Sequence, residues 1–140
     1  EKDAGTATMT PVGVFMGCFY TDPNSNQPTY NQYWKASIAA SDAVAYVLDD
    51  PSVLLKMQSD ASLAQTNLGN NVGVVQTSGS TSIGRSKNAV DGSTAAATTA
   101  TLPLRVIDFV DGPFSSVGDT YTDVIVKYNA GHQYDNTTGI

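Results

Sequence analysis

Side chains able to do chemistry are few in this chain. Its 140 residues contain one Cys (Cys18), one His (His132) and one Trp (Trp34), with seven Lys and Arg together. Cys18 and His132 could form a nucleophile–base pair, the imidazole taking the thiol proton. No local signature accompanies them. Cys18 lies in the apolar run VFMGCFY at 14–20, where a buried and inert thiol is expected. His132 lies in a polar tail and is expected to be a solvated or contact residue. Carboxylates gather near turns: Asp49 with Asp50, Asp108 with Asp111, Asp119 with Asp123. Their oxygens could bind Ca²⁺, but none of these stretches completes a calcium loop, and Asp is an ordinary turn former. The sequence has no phosphate loop with its Lys, no zinc spacing and no Gly-x-Ser-x-Gly elbow. Nothing selects a carboxylate pair for glycoside hydrolysis. Tyr20, Tyr30, Tyr33 and Trp34 could line a sugar-binding face. Beside a flexible polar loop, Tyr30, Tyr33 and Trp34 could instead anchor a protein interface, or Tyr33 and Trp34 could cap the core. The residues therefore predict no enzyme, no cofactor and no metal site, with Tyr30, Tyr33 and Trp34 as the interface candidates.

The elements that must position these residues read as β-structure. Strands are predicted at 12–20, 42–48, 53–58, 71–77, 102–110 and 121–129, where apolar residues alternate between Pro-, Gly- and Asp-rich breaks. In the first strand the alternation puts Val12, Val14, Met16 and Cys18 on one face and Phe15 and Phe19 on the other, with Phe15 covering Gly13 and Gly17. The short DDP connection at 49–51 predicts an antiparallel hairpin between the second and third strands. Pro103 cannot donate to a ladder and predicts an edge or a bulge for its strand. Residues 60–69 are the one fair helical stretch, one or two turns long. Residues 21–32 read as a surface loop. Residues 1–11 read as an arm, and the low-complexity stretch 78–100 as an excursion from a β-domain spanning 12–140 or an arm laid on a neighbouring subunit. The expected fold is all-β: a single antiparallel β-sandwich or barrel with extended arms and at most one short helix.

Composition narrows the partners. Charged residues make up 14% of the chain, against roughly 25% in ordinary soluble domains. A surface of Ser, Thr, Asn and Gln is cheap to desolvate and suits repeated protein–protein contact. The net charge of −6 argues against direct binding along nucleic-acid phosphates and against adsorption to anionic membrane. No run reaches the ~20 apolar residues of a membrane span. A lone Cys makes no internal disulfide.

The stretches GVFMGCFYTDP at 13–23, DAVAYVLDDP at 42–51, DGSTAAATTATLPLRVIDFVDGP at 91–113 and DVIVKYNAGHQYDNTTGI at 123–140 resemble small structural proteins of tailed, particularly marine, bacteriophages. The resemblance implies a virion component on the capsid surface: a decoration or cement protein that binds the major capsid protein, bridges neighbouring capsid subunits and self-associates on the capsid. It brings no site motif, so no residue acquires a role from it. Two further readings stand beside it: a subunit of another assembly (a phage fibre or tail piece, or an extracellular filament), and a carbohydrate-binding β-module for attachment.

Overall fold

The computed structural model describes residues 10–95, 99–130 and 139. It is nearly all β, with two antiparallel sheets. The chain divides into two compact units. One holds residues 12–50 and 78–87; the other holds the remainder, including 51–77 and 88–130.

The second of these units is a five-stranded sheet curled into a half-barrel. Its strands are β4 (Leu55–Gln58), β5 (Asn71–Val75), β6 (Ala89–Asp91), β7 (Leu104–Phe109) and β8 (Asp123–Tyr128), in the order β4-β8-β7-β5-β6. Cross-strand partners share a face, so the register identifies the core. Leu104 lies opposite Tyr128, Val106 and Leu55 opposite Val126, Met57 and Phe109 opposite Val124, Val72 opposite Leu104, and Val74 opposite Val90. Val72, Val90, Val106, Val124 and Val126 are fully buried, and Leu63 packs among the buried set from outside the strands. The opposite face carries Lys56, Arg105 and Lys127, with Lys56 paired to Asp123 at 2.9 Å.

The two edges of this sheet are drawn together. Ser59, just past β4, forms a parallel bridge with Val90 of β6. The Asp60 N–H and the Ser59 hydroxyl both donate to Val90 O, at 3.0 and 3.3 Å, and the Gly92 N–H donates to Asp60 Oδ1 at 2.8 Å. Gly92 permits this approach, because a Cβ there would stand 2.8 Å from that of Ala61. The segment after β6 is held by asparagines. Side-chain amides of Asn67 and Asn70 donate to Ala95 O, that of Asn71 to Thr99 O, and that of Asn129 to Ala100 O and Leu102 O.

The other unit is a three-stranded antiparallel sheet in the order β2-β1-β3: β1 (Val14–Thr21), β2 (Pro28–Asn31) and β3 (Val44–Leu48).

Several expectations change. Residues 48 and 55 do not form a hairpin: β3 pairs with β1, whereas β4 pairs with β8. Pro51 stands where the chain leaves one sheet for the other, so a short connection here changes sheet instead of reversing within one. Strand β2 lies inside the predicted loop 21–32, and its Pro28 occupies the first position, where a missing N–H is tolerated. Strand β6 lies inside the low-complexity stretch; Val90 is its single buried residue and finds a partner only through the register with Val74. Pro103 precedes a central strand, not an edge; the strand does carry a bulge in its ladder with β8, at Ile107 and not at Pro103, whose carbonyl accepts the N–H groups of Asn129 and Ala130. The helical stretch shrinks to a 3₁₀ turn at Gln65–Asn67. Residues 1–9 of the expected arm lie outside the described residues.

Candidate interaction surface on the three-stranded sheet

Strand β1 is the axis of this surface, because both neighbouring strands pair with it. Its ladder with β3 carries one extra residue. Phe15 lies opposite Val47 and Gly17 opposite Tyr46, leaving Met16 as the bulge. A bulge of this kind shifts the phase of the pleat. The simple alternation expected from the sequence therefore fails at Met16. Val14 shares a face with Gly17 and Phe19, and Phe15 shares one with Cys18 and Tyr20.

The face of Cys18 and Tyr20 is the packed one. Both side chains are buried. The Cys18 thiol is a weak donor to the carbonyls of Asn31 and Tyr33, at 3.7 and 3.6 Å. The Asn31 amide donates to the Tyr20 hydroxyl at 2.8 Å, and the Tyr20 ring meets Trp34 with centroids 5.3 Å apart and planes tilted by 58°. Tyr33 closes on Gly84, which has φ +63°, and a Cβ there would run into the Tyr33 ring. This position needs Gly for both its backbone angle and its space. Residues 80–85 form the turn that presents it, with Ser80 N–H donating to Arg85 O at 2.9 Å.

The other face is open. Going across the sheet, it carries Val14 with Leu48, then Gly17 with Tyr46, then Tyr30, Phe19 and Val44 in one row. Tyr30 is 55% exposed, Val44 52%, Tyr46 49%, Phe19 40% and Leu48 38%. The Tyr30 ring, not Phe15, covers Gly17. A Cβ on Gly17 would stand 2.8 Å from Tyr30 Cζ, and the Tyr30 hydroxyl donates to Met16 O at 3.1 Å. Tyr30 and Tyr46 lie 6.2 Å apart with planes tilted by 46°. An apolar row on an open face is informative, since an antiparallel sheet usually solvates its free face with polar side chains. Contiguous exposed apolar surface of this kind marks contact sites.

Strand β3 adds an edge to that face. All five of its residues are exposed, and none is charged. Carboxylates stand at both ends, Asp42 before it and Asp49 and Asp50 after it. Asp42 is fixed in place: its oxygens accept the Thr21 N–H at 3.2 and 3.1 Å. Hydrogen bonds from the Thr21 side chain, and then from its backbone, hold the Asp42 carboxyl below the usual carboxylate range.

The structure therefore separates the three interface candidates. Tyr30 lies on the open face. Trp34 packs on Tyr20 behind it, and Tyr33 packs on Gly84. Val44, Tyr46 and Phe19 complete the open face, and the sequence reading did not select them. Their signal was present in AVAYVL at 43–48, which is apolar at odd and even positions alike; on the packed face, too, Phe15 and Val47 stay exposed beyond the cover over Cys18 and Tyr20. The carboxylate clusters serve as turn and ladder groups: Asp108 accepts the Phe109 N–H, Asp119 the Ser116 N–H, and Asp123 pairs with Lys56. Among the described residues no group of three or more His, Cys, Asp or Glu could hold a metal ion, and no helix is long and apolar enough to cross a membrane. His132 lies outside the described residues. Compared with protein-family models, characterised proteins and solved structures, the chain matches none.

Proposed function

We propose that this chain is a non-enzymatic virion structural protein, a capsid decoration or cement protein that binds the outside of a phage head and bridges neighbouring capsid subunits. The observation that supports a contact role is the open sheet face of Tyr30, Phe19, Val44, Tyr46 and Leu48. The particle itself comes from the resemblance of the sequence to phage structural proteins. A shell protein repeats one contact at many equivalent positions, so modest affinity at each is enough once the contacts are linked. The low charged content suits such a contact, because little hydration is lost on burial. The carbohydrate reading is weaker, since the Tyr30 and Tyr46 planes are tilted by 46° and Tyr20 and Trp34 by 58°, leaving no common platform for a sugar ring.

The test is occupancy on purified heads that lack the protein, with wild type and a Val44→Asp/Tyr46→Asp variant added at equal concentration. Both positions are about half exposed, so the variant is expected to keep the Trp34 fluorescence of the folded unit while losing most of its occupancy. Equal occupancy of the two proteins would overturn the open face as the contact. Wild-type protein found only on tails or fibres would overturn the capsid assignment.

A further inference from the structure

One aromatic ring lies outside both sheets. Phe114 is 96% exposed, yet the loop that carries it is tightly fixed. Gly112 and Ser115 exchange backbone hydrogen bonds at 2.8 and 3.3 Å, which makes Pro113 and Phe114 the two residues of a tight turn. Pro113 presets its own backbone angle. The base of the loop is tied to the half-barrel. Ser115 is buried, and its hydroxyl accepts the Asp123 N–H at 2.8 Å. The Gly118 N–H donates to the carbonyl of buried Leu63 at 2.9 Å, and the Ser62 hydroxyl donates to Gly118 O at 2.8 Å. The approach beside the turn is open: a Cβ on Gly112 would meet no atom within 4 Å. A ring held out on a fixed turn gains almost nothing from its own fold, and little ordering entropy remains to be lost when a partner covers it.

The same chain carries a surface of matching chemistry. On the open face of the three-stranded sheet, Tyr30 and Tyr46 lie 6.2 Å apart with planes tilted by 46°. Tyr30 is steadied by its hydroxyl on Met16 O, and Phe19 and Val44 continue its row. Tilted rings that exclude a flat sugar suit a third ring, because aromatic groups prefer edge-to-face meetings. Charge agrees with a second copy as the occupant. Each copy carries −6, so two copies repel at long range and meet most cheaply where both surfaces are neutral. Residues 112–118 contain no charged side chain, and neither do Gly17, Phe19, Tyr30 and 44–48.

We infer that Phe114 of one copy seats on the Tyr30–Tyr46 face of another copy of this chain. The two surfaces differ, so the contact is heterologous: every copy offers both a ring and a face, and one neighbour uses each. Phe114 is the anchor, and the apolar row around Tyr30 and Tyr46 excludes water from it. The inference deepens the assembly reading and rests on it only for the setting: on a head, the neighbouring copy rather than the capsid subunit covers the open face. Many such contacts in one shell act together, so each needs only modest affinity.

The test uses the full chain and two variants. Phe114→Ser removes the ring and keeps the face; Val44→Asp/Tyr46→Asp removes the face and keeps the ring. An unchanged urea midpoint verifies the fold of the first, and native Trp34 fluorescence that of the second. Each protein is followed by sedimentation and by NMR amide shifts up to about 1 mM, a range that covers contacts weak enough for a shell to use. Wild type should associate, and more strongly with added salt as the −6 on each copy is screened. Each variant alone should associate at least about tenfold more weakly. Mixing the variants should rescue one contact. Unlabelled Val44→Asp/Tyr46→Asp should shift the amides of Gly17, Tyr30 and 44–48 in labelled Phe114→Ser, and the reverse labelling should shift those of Gly112, Phe114 and Ser115. Wild type that stays monomeric, or association that survives Phe114→Ser, would overturn the inference. So would a mixture that stays monomeric, or shifts confined to other surfaces. Failure of the assembly reading looks different: copies would associate through ring and face while heads lacking the protein stayed bare. Occupied heads without ring-to-face association would give the open face to the capsid subunit and overturn the inference alone.

Discussion

The two sheets solve the same problem in opposite ways. The half-barrel buries one apolar face and bridges its two edges through Ser59 and Val90. The three-stranded sheet covers Cys18 and Tyr20 but leaves Tyr30, Phe19, Val44 and Tyr46 in solvent, and among the described residues no strand pairs with its two outer edges, β2 and β3. Among the described residues one sheet closes its edges on each other, whereas the other keeps an apolar row exposed. The difference teaches where stability and contact reside. Apolar side chains that are already buried can only stabilise, and those still exposed retain their transfer free energy for a partner.

The comparison breaks most visibly with equivalent leucines. Leu104 is 2% exposed in the half-barrel and Leu48 is 38% exposed on the open face. Leu104→Ala should cost about 2–5 kcal/mol through lost transfer and a residual cavity. Leu48→Ala should cost no more than roughly 1 kcal/mol, because little of its burial exists to be lost. Urea unfolding followed by far-UV circular dichroism measures both, and equal losses would erase the distinction between the sheets.

Gly17→Ala comes next. Gly17 has φ +146°, and its missing Cβ leaves room for the Tyr30 ring. The variant should cost about 1–3 kcal/mol in backbone strain and displaced packing. Trp34, the one Trp in the chain, packs on Tyr20 in the same unit, so its fluorescence transition should move to lower urea. An unmoved transition would show that the ring is not held over the glycine.

A smaller effect is expected at the half-barrel seam. Asp60→Ala removes the acceptor for the Gly92 N–H and should cost about 1 kcal/mol. Faster amide exchange at Gly92 and Val90 than at Val126 would locate the loss at the closure. Uniform acceleration across the sheet would place the effect elsewhere.

The smallest effect is a pH dependence at the β3 end. The Asp42 carboxyl is held below its ordinary value of 3.8 by Thr21. A carboxyl depressed in the folded state favours folding above the unfolded value and loses that contribution as pH falls through the folded one. The three-stranded unit should therefore weaken slightly below about pH 4, and Asp42→Asn should flatten that slope. A carboxyl carbon titration by NMR that puts Asp42 at or above 3.8 would contradict the fixed carboxylate.

Much of the strand content was legible in the residues. Val124, Val126 and Tyr128 alternate with polar neighbours, and that period alone specifies a half-buried strand and its inner face. The apolar run at 14–20, rather than its alternation, predicted Cys18 as a buried thiol, and the residue types offered no recognisable catalytic set. The open face was legible only in part: Tyr30 stood out as an aromatic beside a polar loop, while Val44 and Tyr46 looked like any core strand.

What the sequence by itself determined was therefore local: where the chain is extended, where it turns, and that the fold is all-β. What only the tertiary structure decided was pairing. A single bulge at Met16 reassigned the faces of β1, because pleat phase depends on the partner strand and not on the strand's own pattern. The short connection at 49–51 joined two sheets, because loop length permits a hairpin without requiring one. Strand β6 formed from three residues with one large apolar side chain, because Val74 and the Asp60 backbone were there to meet Val90. Whether an apolar side chain becomes core or contact surface is likewise decided by what packs on it, and all five residues of β3 stay exposed.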